Sequence, residues 1–136
     1  MTYLGLNLTI TGVLLVSLGV LHVALPVLLR WNRELAAASL LNHEVSYVHC
    51  FFIGLACALW GLLPLTAGRL LLIPSPVTRL VLTGAVIFWA CRLVIQLVVF
   101  NHHVRESATW CALSIAGTAL WSYLTAIWTW ALLAQR

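Results

Sequence analysis

Lysine and aspartate are missing from this chain, and charge of either sign is scarce: 7% of 136 residues, as seven Arg against Glu34, Glu44 and Glu106. Soluble domains carry about 25% charged residues, so a water-facing surface cannot be assembled from this set. The arginines are scattered, which excludes a nucleic-acid surface of the kind that tracks phosphates. No Gly-rich phosphate loop, Ser-His-Asp arrangement or His-Glu-x-x-His motif occurs, which argues against nucleotide-driven transport and standard hydrolases. The cysteines Cys50, Cys57, Cys91 and Cys111 include no Cys-x-x-Cys pair. A thiol–disulfide oxidoreductase and a covalently attached c-type haem are therefore not expected, and the four read as small apolar residues. Strand-like alternation, internal repeats and low-complexity segments are also absent.

What the chain does have is apolar length: 63% of residues are hydrophobic and the mean hydropathy is +1.06. A hydrocarbon core about 30 Å thick needs about 20 apolar residues in a helix. Four segments meet that requirement, with helices expected at about 4–30, 45–68, 77–101 and 108–134. No Lys or Arg precedes the first run, and that run exceeds the h-region of a signal peptide, about 7 to 15 residues, so it is expected to remain as a helix. The expected fold is all-α: a single integral-membrane four-helix bundle of residues 1–136, with short loops and antiparallel up-down connectivity. The chain is expected to be a multi-pass membrane protein.

The connections carry their own signals. Glu34 to Ser39 could form an interfacial helical turn in the first loop. In the second, Leu70 to Ile73 is too short to span, is expected to lie along the surface, and precedes Pro74-Ser75-Pro76, where Pro76 disfavours helix at Ser75. Trp31 and Trp110 are expected at one interface and Trp128 and Trp130 near the other, because Trp prefers headgroup depth. Trp60, Trp89 and Trp121 fall mid-span and are expected to pack between helices. Arg30, Arg33 and Arg105 flank one set of helix ends and Arg69, Arg79 and Arg136 the other, an even split on which the positive-inside rule selects neither orientation. Gly5, Gly12, Gly19 and Pro26 recur every seven residues, and Cys50, Gly54, Cys57 and Gly61 follow a 4-3-4 spacing. Small residues at such spacings let membrane helices approach closely.

The functional signal is a distribution of polar residues. Antiparallel topology puts all five histidines, Glu44, Glu106 and Arg92 in one leaflet or at its rim. At 1.5 Å rise per residue, His22 is expected ~12 Å and His49 ~6 Å from that interface, Arg92 ~13 Å and Gln96 ~7 Å. Arg92 and Gln96 share a helix face. An ionisable group inside a membrane costs about 2.5 to 3.5 kcal/mol on insertion scales and is a functional candidate by default. Arg92 needs a partner, for which Glu44, a bound anion or lipid headgroup, and helix-end carbonyls are the candidates. The structural alternative is a His bonded to a neighbouring backbone carbonyl, holding the bundle together.

Three chemistries fit this set. His22 and His49, on adjacent helices, could ligate one haem or a chlorophyll-type pigment, with Arg92 or Arg105 toward a propionate. His102, His103 and Glu106, or His43, Glu44 and His49, could hold a non-haem metal. His22, His49, Arg92 and Gln96 could instead form the polar end of an apolar pocket for a quinone or similar amphipathic molecule, with Trp60 and Trp89 as flat walls. The expected function is thus binding of a haem-type redox cofactor or a quinone-like ligand, in an electron-transfer setting. Two other readings stand beside it: an accessory subunit of a larger membrane complex, meeting other membrane subunits through its helix faces, and an enzyme acting on a lipid-like substrate, with His49 or Glu44 as proton carrier. The bilayer is the expected surrounding, and no nucleic-acid partner is expected.

Overall fold

A computed structural model describes residues 2–100 and 108–136. The fold is all-α, with no strand among the described residues. Four long helices, α1 (Tyr3–Leu28), α3 (Leu40–Ala67), α4 (Pro76–Val98) and α5 (Ala108–Leu133), are joined by a single helical turn, α2 (Trp31–Glu34), and a 3-10 turn at Leu70–Leu72. Each of the four long helices is long and apolar enough to cross a membrane.

Local chemistry sets the helix starts. Ser39 is extended and its side chain accepts from the Asn42 backbone N–H, so α3 begins at Leu40, five residues earlier than hydropathy suggests. This is N-capping by a short hydroxyl side chain, which the polar Asn42-His43-Glu44 stretch obscures in a hydropathy reading. Ser75 is likewise extended (φ −156°, ψ 158°) and accepts from Thr78 N–H, with Pro76 in the first turn of α4. Proline restricts the residue before it and tolerates the first helical turn, as expected for this dipeptide. The helical turn after α1 falls at Trp31–Glu34 rather than at Glu34 to Ser39. It starts there because Arg30 adopts the left-handed conformation, φ 51° and ψ 42°, reversing the chain immediately after α1.

The chain divides into two compact units, Leu8–Gly68 and Met1–Asn7 with Arg69–Arg136. In the first, α1 and α3 meet through their glycines. A Cβ on Gly19 would lie 2.7 Å from the Gly54 carbonyl oxygen, and one on Gly61 would lie 2.8 Å from the Gly12 carbonyl oxygen. Residue 12 pairs with 61 and 19 with 54, so the two helices run in opposite directions. The small-residue stripes do the packing expected of them: Cys50, Gly54, Cys57, Gly61 and Pro64 are the buried residues of α3.

In the second unit, α4 and α5 pack along buried stripes. Leu82, Ala85, Trp89 and Gln96 are buried on α4, and Trp121, Leu124, Trp128 and Ala131 on α5. The alternating three- and four-residue spacing is that of a left-handed helical seam. Trp128 therefore belongs to the core, at 0% exposure, and not to an interface belt. It sits seven residues after Trp121, on the same helix face. Trp110 and Trp130 are exposed. Trp89 and Trp121 stack with ring centroids 5.7 Å apart, as expected for mid-span tryptophans.

The 3-10 turn also departs from a purely surface position, because Leu71 is buried. Gln135, 1% exposed, explains how the turn is held. Its side-chain amide donates to the Leu71 carbonyl at 3.0 Å, and its own backbone carbonyl accepts from Arg79 Nη2 at 2.6 Å. One residue thus ties the turn, the start of α4 and the end of α5. Gln135→Leu should remove the side-chain bond and leave the backbone one. We expect a loss of about 1–2 kcal/mol, from the orphaned Leu71 carbonyl, read as a lower thermal midpoint in detergent with helix content unchanged. The start of α1 is tied to α5 by Tyr123, whose hydroxyl donates to Asn7 Oδ1 at 3.0 Å.

Candidate functional site

The sequence-derived polar residues fall into two clusters, one in each compact unit. In the unit Leu8–Gly68, His22 and His49 line one cavity of about 400 Å3 together with Leu25, Trp31, Leu35, Ser46, Cys50 and Ile53. The depth difference anticipated from sequence does not persist, because Cys50 Sγ donates to the His22 carbonyl at 3.3 Å, which places His22 level with His49 and Cys50. The cause is the glycine contact between α1 and α3, which sets the register of the two helices independently of where each one ends.

The two imidazoles are held in the same way. His22 Nδ1 lies 2.8 Å from the Leu18 carbonyl, and His49 Nδ1 lies 3.1 Å from the Val45 carbonyl. A carbonyl only accepts, so each ring nitrogen must donate, and the neutral tautomer is Nδ1–H. That leaves Nε2 carrying the lone pair, and neither Nε2 has a hydrogen-bond partner among the described residues. The carbonyl one turn back also fixes each ring's orientation, an arrangement that ligand-binding histidines share. His22 is half-buried and His49 exposed.

Glu44 is exposed and does not line this cavity. His43 instead packs its ring against Tyr47, with centroids 4.9 Å apart. Among the described residues no group of three His, Cys, Asp or Glu side chains is placed to hold a metal ion. His102, His103, Arg105 and Glu106 lie outside the described residues.

The second cluster centres on Gln96, which is 5% exposed. Its Oε1 accepts from Arg92 Nη1 and from Trp121 Nε1, both at 3.3 Å. The Arg92 guanidinium also lies over two rings, 4.4 Å from the Trp121 centroid and 5.3 Å from that of Phe100. Cation–π contacts of this kind strengthen when water is excluded. The sequence shows Arg92 and Gln96 as a pair but not Trp121 as the second donor to Gln96 Oε1, although Trp121 is legible as a mid-span aromatic. Gly117 completes the cluster, since a Cβ there would meet Gln96 side-chain atoms at 3.3 Å. The cavity beside Gln96, lined also by Phe100, Trp110, Leu113 and Ser114, is only about 120 Å3. That is room for roughly four waters and lies below the usual size of small-molecule sites, about 300 to 1,000 Å3.

The ligand-sized cavity with unpartnered acceptors is therefore the one at His22 and His49, while Arg92, Gln96 and Trp121 form a tightly engaged polar hub. No protein-family model matches this sequence, and comparisons with curated proteins and with solved structures likewise return no match.

Proposed function

We propose that this chain is a multi-pass membrane protein that binds an amphipathic, hydroxyl- or carbonyl-bearing ring compound of the quinol/quinone type, with His22 and His49 contacting its polar head. The observation that carries this reading is that both imidazoles direct Nδ1–H to their own helix, leaving each Nε2 as an unpartnered acceptor, and that both residues line one cavity of about 400 Å3. Two lone pairs suit a ligand that donates two hydrogen bonds, as a quinol does. Leu25, Trp31, Leu35 and Ile53 supply apolar walls, and a few convergent polar groups on such walls are what small-molecule sites share.

The close approach of α1 and α3 weighs against a haem held between these two histidines. Backbone contact at Gly19 and Gly54, and the Cys50–His22 bond at 3.3 Å, hold the two helices close together at that level. The membrane setting draws its support from four long apolar helices and from side chains such as Val20, Val23, Val27, Leu80 and Val77, each at least two-thirds exposed. Apolar surface on that scale needs lipid or protein against it.

The test uses decylubiquinol, kept reduced under anaerobic conditions, as probe, titrated against the protein in mild detergent, with quenching of tryptophan fluorescence as the readout, since Trp31 lines the cavity. Saturable quenching is expected, and His22→Leu and His49→Leu should each weaken it about tenfold, the equivalent of one lost hydrogen bond of roughly 1.4 kcal/mol. Equal titrations in wild type and the double variant would overturn the assignment. An absorption spectrum of the same preparation, before and after dithionite, should show no Soret band; a band that shifts on reduction would replace the quinone reading with haem.

A further inference from the structure

We infer that a second site, separate from the histidine cavity, binds a phosphate group of net negative charge, one with no cation of its own beside it, at the turn between α1 and α3. A cavity of about 570 Å3 there is lined by Pro26, Val27, Arg30, Asn32, Arg33 and Tyr47. Two of its six lining residues are cations and none is an anion. No hydrogen bond or ion pair engages either guanidinium among the described residues. Asn32 Oδ1 already accepts from the Tyr47 hydroxyl at 2.8 Å, so its amide N–H groups remain as donors. Donors therefore outnumber acceptors around the cavity, the complement of an anion with several oxygens. Planar guanidinium forks match phosphate oxygens in pairs.

The backbone builds this arrangement and does not leave it to two loose side chains. Arg30 is the one non-glycine residue with positive φ among the described residues, at 51°, and the left-handed turn brings Arg33 back over the end of α1, with Arg33 N–H bonded to the Arg30 carbonyl at 2.8 Å. Arginine has no intrinsic preference for that region, so the conformation is held by its surroundings. Tyr47 forms one wall of the cavity: it packs edge-on to Trp31 at 5.4 Å and against His43 at 4.9 Å, and its hydroxyl donates to Asn32 Oδ1. Pro26 and Val27 line the side of the cavity toward α1, an apolar margin suited to the glycerol and upper acyl region of a phospholipid. A phosphate group can be presented by an anionic phospholipid or arrive free.

Purified full-length protein in mild detergent is titrated with dioctanoyl phosphatidylglycerol and, separately, with dioctanoyl phosphatidylcholine, and bound lipid is counted by native mass spectrometry. Retention of the anionic lipid should exceed that of the zwitterionic one by about ten- to thirtyfold, the effect of two interfacial arginines. Arg30→Asn with Arg33→Gln should abolish the preference; asparagine is chosen because it tolerates left-handed backbone. Arg30→Lys with Arg33→Lys should restore part of it, which distinguishes lost charge from lost fold. Inorganic phosphate at millimolar concentration is the second arm. If it displaces the lipid, the site takes free phosphate; if the lipid stays, the headgroup is the ligand. Equal retention of both lipids by wild type, or an unchanged preference in the folded Arg30→Asn/Arg33→Gln variant, overturns the site.

Discussion

Gly54→Leu should separate α1 from α3 and cost at least about 3 kcal/mol, the upper range for overpacking a tight contact. A Cβ at Gly54 would meet His22 Cβ at 2.8 Å and the Gly19 carbonyl oxygen at 3.1 Å. Neither atom is the far end of a flexible side chain, so neither can swing aside. Three further carbons of leucine then have to enter a space already occupied by the facing helix. The effect reaches function because the displaced neighbour is His22 itself: a shift there moves one of the two imidazoles lining the cavity. The variant is thus expected to lose probe binding as well as stability. Gly84→Leu is the control, since nothing lies within 4 Å of a Cβ at that position. It should stay within about 0.5 kcal/mol of wild type, as surface substitutions do, or gain slightly from helix propensity. Unfolding in detergent, followed by circular dichroism, measures both. Comparable midpoints for the two leucine variants would remove the close glycine contact as a determinant of this fold.

The second large effect is expected at Gln96. Gln96→Leu keeps the volume close and removes Oε1, the acceptor shared by Arg92 and Trp121. Trp121 is only 7% exposed and would lose the acceptor for its indole N–H, while Arg92 would lose one of the groups that stabilise its charge. Losing an acceptor for a buried donor costs about 1–3 kcal/mol, and more when the group is ionised, so a loss of about 3 kcal/mol is expected. Gln96→Glu retains the acceptor and adds an opposite charge beside Arg92, and should lie much closer to wild type. The readout is the thermal midpoint together with near-ultraviolet circular dichroism, because the stacked Trp89–Trp121 pair should lose its fixed geometry in the leucine variant alone. Matching spectra for Gln96→Leu and wild type would mean that the hub carries no structural load.

Some of the candidate site was legible in single residues. His22 and His49 stand out because an ionisable side chain in an apolar run is costly enough to require a reason. Arg92 and Gln96 stand out for the same reason, with a four-residue spacing that puts them on one helix face. Trp128 did not. Its place in the core depends on the phase of α5, and an α-helix that is apolar on nearly every side shows no preferred face to a hydropathy reading. The arginine cavity at the α1–α3 turn was read only as two interfacial charges, because its walls exist only once Arg30 takes the left-handed conformation and Tyr47 docks on Trp31.

Composition by itself determined the class. With 7% charged residues and 63% hydrophobic ones, the backbone must satisfy its own hydrogen bonds, and long helices do so within a single segment. The number of helices long and apolar enough to cross a membrane followed from segment length, and the packing stripe of α1 and α3 from the repeat of small residues, since both are local properties of the chain. Only the tertiary structure decided the register of α1 against α3, the level of His22 with Cys50, the free Nε2 atoms and the joining of Arg92 to Trp121 through Gln96. Each of these depends on how far one helix is slid and rotated against another. In an apolar chain that choice is made by glycine contacts and single hydrogen bonds, whose energies are set by geometry across helices rather than by the order of residues along any one of them.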